Sequence, residues 1–188
     1  MAGCNEVLLV RHGETDDNAS ARFQGQLDTP LNARGREQSA ALAELLRGEG
    51  LRALYSSPLL RAHETAQIVG AAVGLEPILD ERLVEADAGD WSGRMIADIV
   101  AGEPEGYARW RAADPEFRFP GGESVAEQAQ RIAAALADVA AGPLPALVVT
   151  HGGTIRAVEG IDPPPDGSVA NCALIRLPVG RPAPSSAP

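Results

Sequence analysis

Apolar runs of strand length alternate with helix-period segments along this chain, and the alternation predicts an α/β domain. Two of the runs, 7–10 and 146–149, are unbroken by any polar residue, as expected of strands buried on both faces. Glycine and proline punctuate the segments between them.

The elements follow in order. Glu6–Arg11 reads as the first strand. A long polar loop, 12–31, holds Arg22, Gly25 and Pro30. A loop of that length in a compact domain is usually functional or disordered. Helix signals run from Ala33 to Arg47 and stop before Gly48 and Gly50. Leu51–Ser56 reads as a second strand. Ser57-Pro58 then places an N-cap residue before a proline at the first helical position, and Ala62, Ala66, Val69 and Val73 share one helical face. Pro77–Leu79 is a short third strand. Residues 80–93 carry Glu81, Glu85, Asp87 and Asp90 and end in Trp91-Ser92-Gly93. Residues 94–113 read as helix broken at Gly102 and Pro104. Pro120-Gly121-Gly122 is a turn. Ser124 and Glu127 form a capping box for a helix reaching Ala141, with Val125, Ile132, Leu136 and Val139 on its inner face. Ala146–Thr150 and Val169–Leu177 are the remaining strands. The expected organisation is one domain over 1–177 and a disordered tail over 178–188, which is built mostly of Pro, Ser, Ala and Gly with one arginine.

A chain of 188 residues can bury a sizeable single core. No apolar run approaches the roughly 18–20 residues of a membrane span, and no secretory leader is visible. Cys4 and Cys172 are the two cysteines, too few for a disulfide framework or a zinc site, so a reducing, cytoplasmic setting is expected. The net charge of −10 argues against nucleic acid as a partner, because phosphate-backbone binding needs a basic face. It leaves room for a small anion, which responds to the local field of a cleft. All 16 Lys and Arg residues are arginine. That excludes a Schiff-base or Walker-type lysine and leaves the side chain best suited to gripping phosphate in two-pronged fashion.

Two strands end in the same chemistry: Arg11-His12-Gly13 and Thr150-His151-Gly152. In open α/β sheets, ligands bind at the carboxyl ends of strands. Two of the three histidines thus occupy equivalent strand ends, each followed by glycine. Arg61 falls in the first turn of a helix, where free N–H groups and the helix dipole favour anions. Two imidazoles and several arginines suit phosphoryl transfer through a phosphohistidine. A carboxylic acid in the 80–90 loop would protonate the leaving group.

The motifs also resemble a known family. Arg11-His12-Gly13-Glu14-Thr15 with Asn18, Arg22-Phe23-Gln24-Gly25, Asp28, Pro30-Leu31-Asn32 and Gly35 are similar to the histidine phosphatase superfamily, in its phosphoglycerate-mutase-like branch. The similarity continues through Ser56-Ser57-Pro58-Leu59 with Arg61, Leu83 with Glu85, Gly89 and Trp91, then Pro120 to Ser124, and Val149 to Gly153. The resemblance implies a three-layer sandwich with a central, mostly parallel sheet flanked by helices. It implies His12 as the phosphorylated nucleophile, with Arg11, Arg61 and His151 holding the phosphate. Asn18 and the Gly152 backbone would contact the phosphate too, and Gln24 and Gly25 would lie at the rim. Glu85 would act as general acid and then as base, with Asp87 as a second carboxylate nearby. The family needs no metal or organic cofactor. His63 matches none of these motifs.

The function expected on that basis is hydrolysis of a small phosphorylated metabolite by a monomer or homodimer, with neither nucleic acid nor membrane as partner. The alternatives are a bisphosphoglycerate-dependent phosphoglycerate mutase, a protein phosphatase and a non-catalytic phospholigand-binding domain. Mutases of the family carry an Arg-His or Arg-Tyr pattern after the acid, where this chain has Ala86-Asp87-Ala88. A non-catalytic relative should have lost one of His12, Arg61, Glu85 or His151, and all four are present. Two departures stand out: Ser92 replaces the glutamate many relatives carry, and the segment after His151 is short, so the cleft should be open on that side. Tyr107, Arg109, Trp110, Arg111 and Arg118 are candidates for a lid that reads the leaving group.

Overall fold

A computed structural model describes residues 5–158 and 168–179. Cys4 and residues 180–188 of the expected tail lie outside the described residues, whereas Pro178, placed in that tail, pairs with Glu6 as the end of the last strand. Five strands form one sheet in the order β3-β2-β4-β1-β5. They are β1 (Glu6–Arg11), β2 (Ala53–Ser56), β3 (Ile78–Leu79), β4 (Ala146–Thr150) and β5 (Leu174–Pro178). β1 pairs with β4, β4 with β2 and β2 with β3, all parallel, while β5 runs antiparallel along β1. The sheet is therefore mostly parallel, as expected.

The strand residues alternate between two cores because successive side chains point to opposite faces. Val7, Leu9, Ala146 and Val148 face Ile132, Ala135 and Val139 of α6 (Val125–Ala141). Leu8, Val10, Leu147 and Val149 face α2 (Ala33–Leu46) and α3 (Leu60–Val73) through Leu42, Leu46, Ala62, Ala66 and Val69. This two-sided burial explains why β1 and β4 lack polar residues at their centres, and it gives the three layers. A third cluster of aromatic residues sits beyond the strand ends: Phe23, Trp91, Phe117 and Phe119 pack edge-on or tilted, with centroids 5.2–5.8 Å apart.

Several expectations are corrected. The 12–31 loop contains a short helix, α1 (Asp16–Ala19), held by a capping box between Thr15 and Asn18. The third helix begins at Leu60, two residues later than Ser57-Pro58 suggested. Its first amide donates instead to Asp28 Oδ1 at 2.7 Å. Residues 94–113 break as expected into α4 (Ile96–Gly102) and α5 (Pro104–Arg111). The last strand begins at Leu174 rather than Val169, because Asn171 and Cys172 make a turn with Cys172 at φ 57°. After His151 the helix α7 (Gly152–Arg156) is five residues long, short as anticipated.

Candidate active site

Strand pairing creates the site. Arg11 of β1 lies opposite Thr150 of β4, and the His12 amide donates to the Thr150 carbonyl at 2.9 Å. The residues that follow these strands, His12 and His151, therefore emerge side by side, with ring centroids 5.2 Å apart. Gly13 is needed here for space: a Cβ would sit 2.4 Å from the Gly35 carbonyl oxygen at the start of α2.

Both histidines are buried. His12 Nδ1 lies 2.6 Å from the Gly13 carbonyl, which can only accept, so Nδ1 carries the proton. Nε2 then presents a lone pair, which accepts from Arg61 Nε at 3.2 Å. Burial, then the Arg61 and Arg11 charges, hold the His12 pKa well below the ordinary imidazole value. The ring is neutral at pH 7 with its lone pair directed at Arg61. His151 is depressed in the same direction, first by burial and then by Arg61, His12 and Arg11. Its Nε2 bonds Ser57 Oγ at 2.8 Å, so the hydroxyl read as a helix cap, which accepts from the Leu59 amide at 3.3 Å, also orients this ring.

Arg61 is almost wholly buried. Its Nη1 and Nη2 donate to the Leu27 and Gly25 carbonyls at 2.6 and 2.7 Å. Burial lowers its pKa to about 10, so it keeps its charge at neutral pH. Arg11 donates through Nη1 to the Val169 carbonyl, while among the described residues its Nε, like His151 Nδ1, has no hydrogen-bond partner. Unpaired buried donors are rare. Arg11 lines the pocket beside His12, where an anion would take up its spare guanidinium donor.

One pocket is lined by Arg11, His12, Asn18, Gln24, Gly25, Arg61, Glu85 and Gly152, every expected site residue but His151. His151 stands behind this lining, ring against ring with His12. Asn18 Oδ1 is held by Thr15 N and Asn171 Nδ2. Gln24 Oε1 accepts from Thr15 Oγ1 at 3.1 Å. Glu85 accepts from the amides of Ala86 and Gly153, both at 2.9 Å, and from Gln128 Nε2 at 3.0 Å. Asp87 is exposed, is absent from the lining, and accepts from the Gly89 amide. Of the two carboxylates, Glu85 is the one that lines the pocket.

The outer part of the pocket is lined by Arg22, Phe23, Ile96, Tyr107, Trp110, Arg111 and Arg156. Of the lid candidates, Tyr107, Trp110 and Arg111 are in place. Arg109 is turned to Asp114 and Arg118 to Glu127, outside it. Sequence reasoning missed Arg156, whose guanidinium lies 4.4 Å from the Trp110 ring centroid and donates to the Trp110 carbonyl at 2.7 Å. It also missed Arg131, which clamps the acid loop through the carbonyls of Arg82, Val84 and Glu85 and a 2.6 Å pair with Glu123.

Residues 7–162 match the family model for the histidine phosphatase superfamily, branch 1. The chain belongs to this superfamily. Among curated relatives, it is 39% identical over 134 residues to phosphoserine phosphatase 1 of Hydrogenobacter thermophilus, covering 71% of this chain and 64% of that protein. It is 43% identical over 151 residues to a probable phosphoglycerate mutase, GpmB, of an Enterobacter species, covering 78% of this chain and 69% of that one. The chain thus spans about two thirds of the length of the curated relatives it matches. Among solved structures, mycobacterial glucosyl-3-phosphoglycerate phosphatase in complex with VO3 superposes with a TM-score of 0.83 at 34% identity, covering 92% of this chain and 90% of that one. These neighbours share the histidine phosphatase fold.

Proposed function

We propose that this superfamily member hydrolyses a small phosphomonoester through a phosphohistidine on His12. The observation that carries the reading is the neutral His12 ring, its Nε2 lone pair directed at the Arg61 guanidinium and flanked by Arg11 and the His151 ring. Nε2 attacks phosphorus as the ester P–O bond breaks. Arg11, Arg61 and His151 stabilise charge on the equatorial oxygens, with Asn18 and the Gly152 backbone as further contacts. Glu85 gives its proton to the leaving alkoxide. It then takes a proton from water, whose oxygen attacks phosphorus as the P–N bond breaks, which releases inorganic phosphate and restores the His12 lone pair. Gln24 and Gly25 border the path to the leaving group. The positive charge in this reading comes from guanidinium groups, and the chemistry requires no metal. A cytoplasmic setting is supported by the cysteine usage.

The outer pocket supports an organic leaving group that carries a carboxylate. Phosphoserine and glucosyl-3-phosphoglycerate, named for two of the relatives, both have one, and Arg22, Arg111 and Arg156 line the wall such a group would meet. A mutase is the second reading, favoured by the similarity to the probable phosphoglycerate mutase. Ala86-Asp87-Ala88 after Glu85 supports hydrolysis over it.

A panel of phosphomonoesters assayed in EDTA, alongside His12→Ala, tests the proposal. Phosphate release unaffected by EDTA and abolished in His12→Ala is the expected result. Activity retained in His12→Ala sinks the nucleophile assignment, and loss in EDTA points to a metal mechanism. Transfer between glycerate phosphates with little release of inorganic phosphate turns the reading to mutase.

A further inference from the structure

The buried stripe of α6 runs Val125, Gln128, Ile132, Ala135 and Val139, with one carboxamide among apolar side chains. Burying an amide costs free energy unless it is hydrogen-bonded, so Gln128, 2% exposed, needs a partner. Its Nε2 lies 3.0 Å from Glu85 Oε1 and 3.3 Å from Thr154 Oγ1. Glu85 Oε1 also accepts from the Ala86 amide at 2.9 Å and has Thr154 Oγ1 at 3.2 Å. These donors occupy both lone pairs of Oε1. Oε2 accepts only from the Gly153 amide, at 2.9 Å, among the described residues. One oxygen of the carboxyl is thus anchored and the other keeps a lone pair free to carry a proton. The space is fitted closely on the α7 side, where a Cβ on Gly153 would come within 2.5 Å of Oε1.

We propose that Gln128 is a positioning residue that fixes Glu85 by Oε1 and so makes Oε2 the oxygen that exchanges the proton with the leaving group and with water. The inference rests on Glu85 being the general acid. Gln128 touches neither substrate nor phosphate, and its effect passes through the Glu85 carboxyl. The proton balance is unchanged: Oε2–H loses its proton to the alkoxide in the first half-reaction and regains one from water in the second.

The test exploits leaving-group dependence. The quotient kcat/KM reports steps up to the transfer of phosphoryl to His12. An alkyl leaving group needs a proton in that step, and p-nitrophenolate does not. In Gln128→Met, which keeps length and apolar fit but removes the donor, kcat/KM for an alkyl phosphomonoester should fall about tenfold. The same quotient for p-nitrophenyl phosphate should stay within about twofold of the parent. Gln128→Asn, which keeps the amide but withdraws it, should show the same discrimination. Thermal melting establishes which of the two variants is folded and is read. Glu85→Gln is the control, with an alkyl-selective loss of about 100-fold or more. If Glu85→Gln loses both substrates alike, the general-acid reading fails. If Glu85→Gln discriminates and the folded Gln128 variants do not, or lose both substrates in parallel, the positioning role is overturned.

Discussion

At the scale of single residues, the site depends on keeping two imidazoles neutral inside a cluster of arginines. His12 and His151 are both buried and held well below the ordinary histidine pKa. Their unfolded values are near 6.5, so below that pH the unfolded chain binds protons that the folded chain refuses. Stability should therefore fall as pH drops from about 6.5 toward the lowered folded values, by up to about 1.4 kcal/mol per pH unit for each histidine. Urea titrations between pH 7 and 5 measure this, and His151→Asn should flatten the slope. His12→Ala should lower phosphatase activity at least about 1,000-fold while leaving the melting temperature at pH 7 close to the parent's. Rapid labelling with radioactive substrate identifies the intermediate: a base-stable, acid-labile phosphoryl group is expected on the parent and none on the variant. The residues carrying this chemistry were legible because they sit at ends of apolar runs and repeat one pattern. Gln128, Arg131 and Arg156 were not, since each looks like an ordinary helix residue until packing brings it against Glu85, the acid loop or Trp110. The one available signal was Gln128's place on an otherwise apolar stripe.

At the scale of elements, the acid loop is held from two sides. Arg131 of α6 binds three of its carbonyls, and the Gly153 amide at the start of α7 binds Glu85 itself. Arg131→Met should free the loop and lower kcat for alkyl phosphates about tenfold, with KM changed little, as steady-state kinetics would show. Trp91 anchors the outer wall: it is fully buried, stacks among Phe23, Phe117 and Phe119, and donates through Nε1 to Glu103 at 2.8 Å. Trp91→Ala should cost about 3–5 kcal/mol in urea unfolding. Strands and long helices were readable because their apolar periods are strong. Helix α1, the late start of α3 and the turn at Asn171-Cys172 were not, because distant partners decide them: Asp28 supplies the acceptor for Leu60, and Asn171 reaches back to the His12 carbonyl.

At the scale of the whole molecule, a protein with net charge −10 presents an arginine-lined pocket to its surroundings. The positive field is local, so the acidic exterior should slow encounter with an anionic substrate at low salt and do so less as ionic strength screens it. A modest rise in kcat/KM between 10 and about 150 mM salt is the expected outcome, followed by a fall once salt competes at the arginines; a monotonic fall from the lowest salt would show that the pocket's field dominates. The α/β class followed from alternating strand and helix signals, and the three layers from the family resemblance. The order in which β4 inserts between β1 and β2 did not, although that insertion is what brings His151 to His12.

The Arg61 guanidinium is already committed to the Leu27 and Gly25 carbonyls. A cation so satisfied gains less from an incoming anion than a bare one, because each new bond competes with one already made. Product release should benefit: free inorganic phosphate would be a weak inhibitor, in roughly the millimolar range, where binding is worth only about 4 kcal/mol. The pocket would then hold the transferring phosphoryl group while letting go of the finished one.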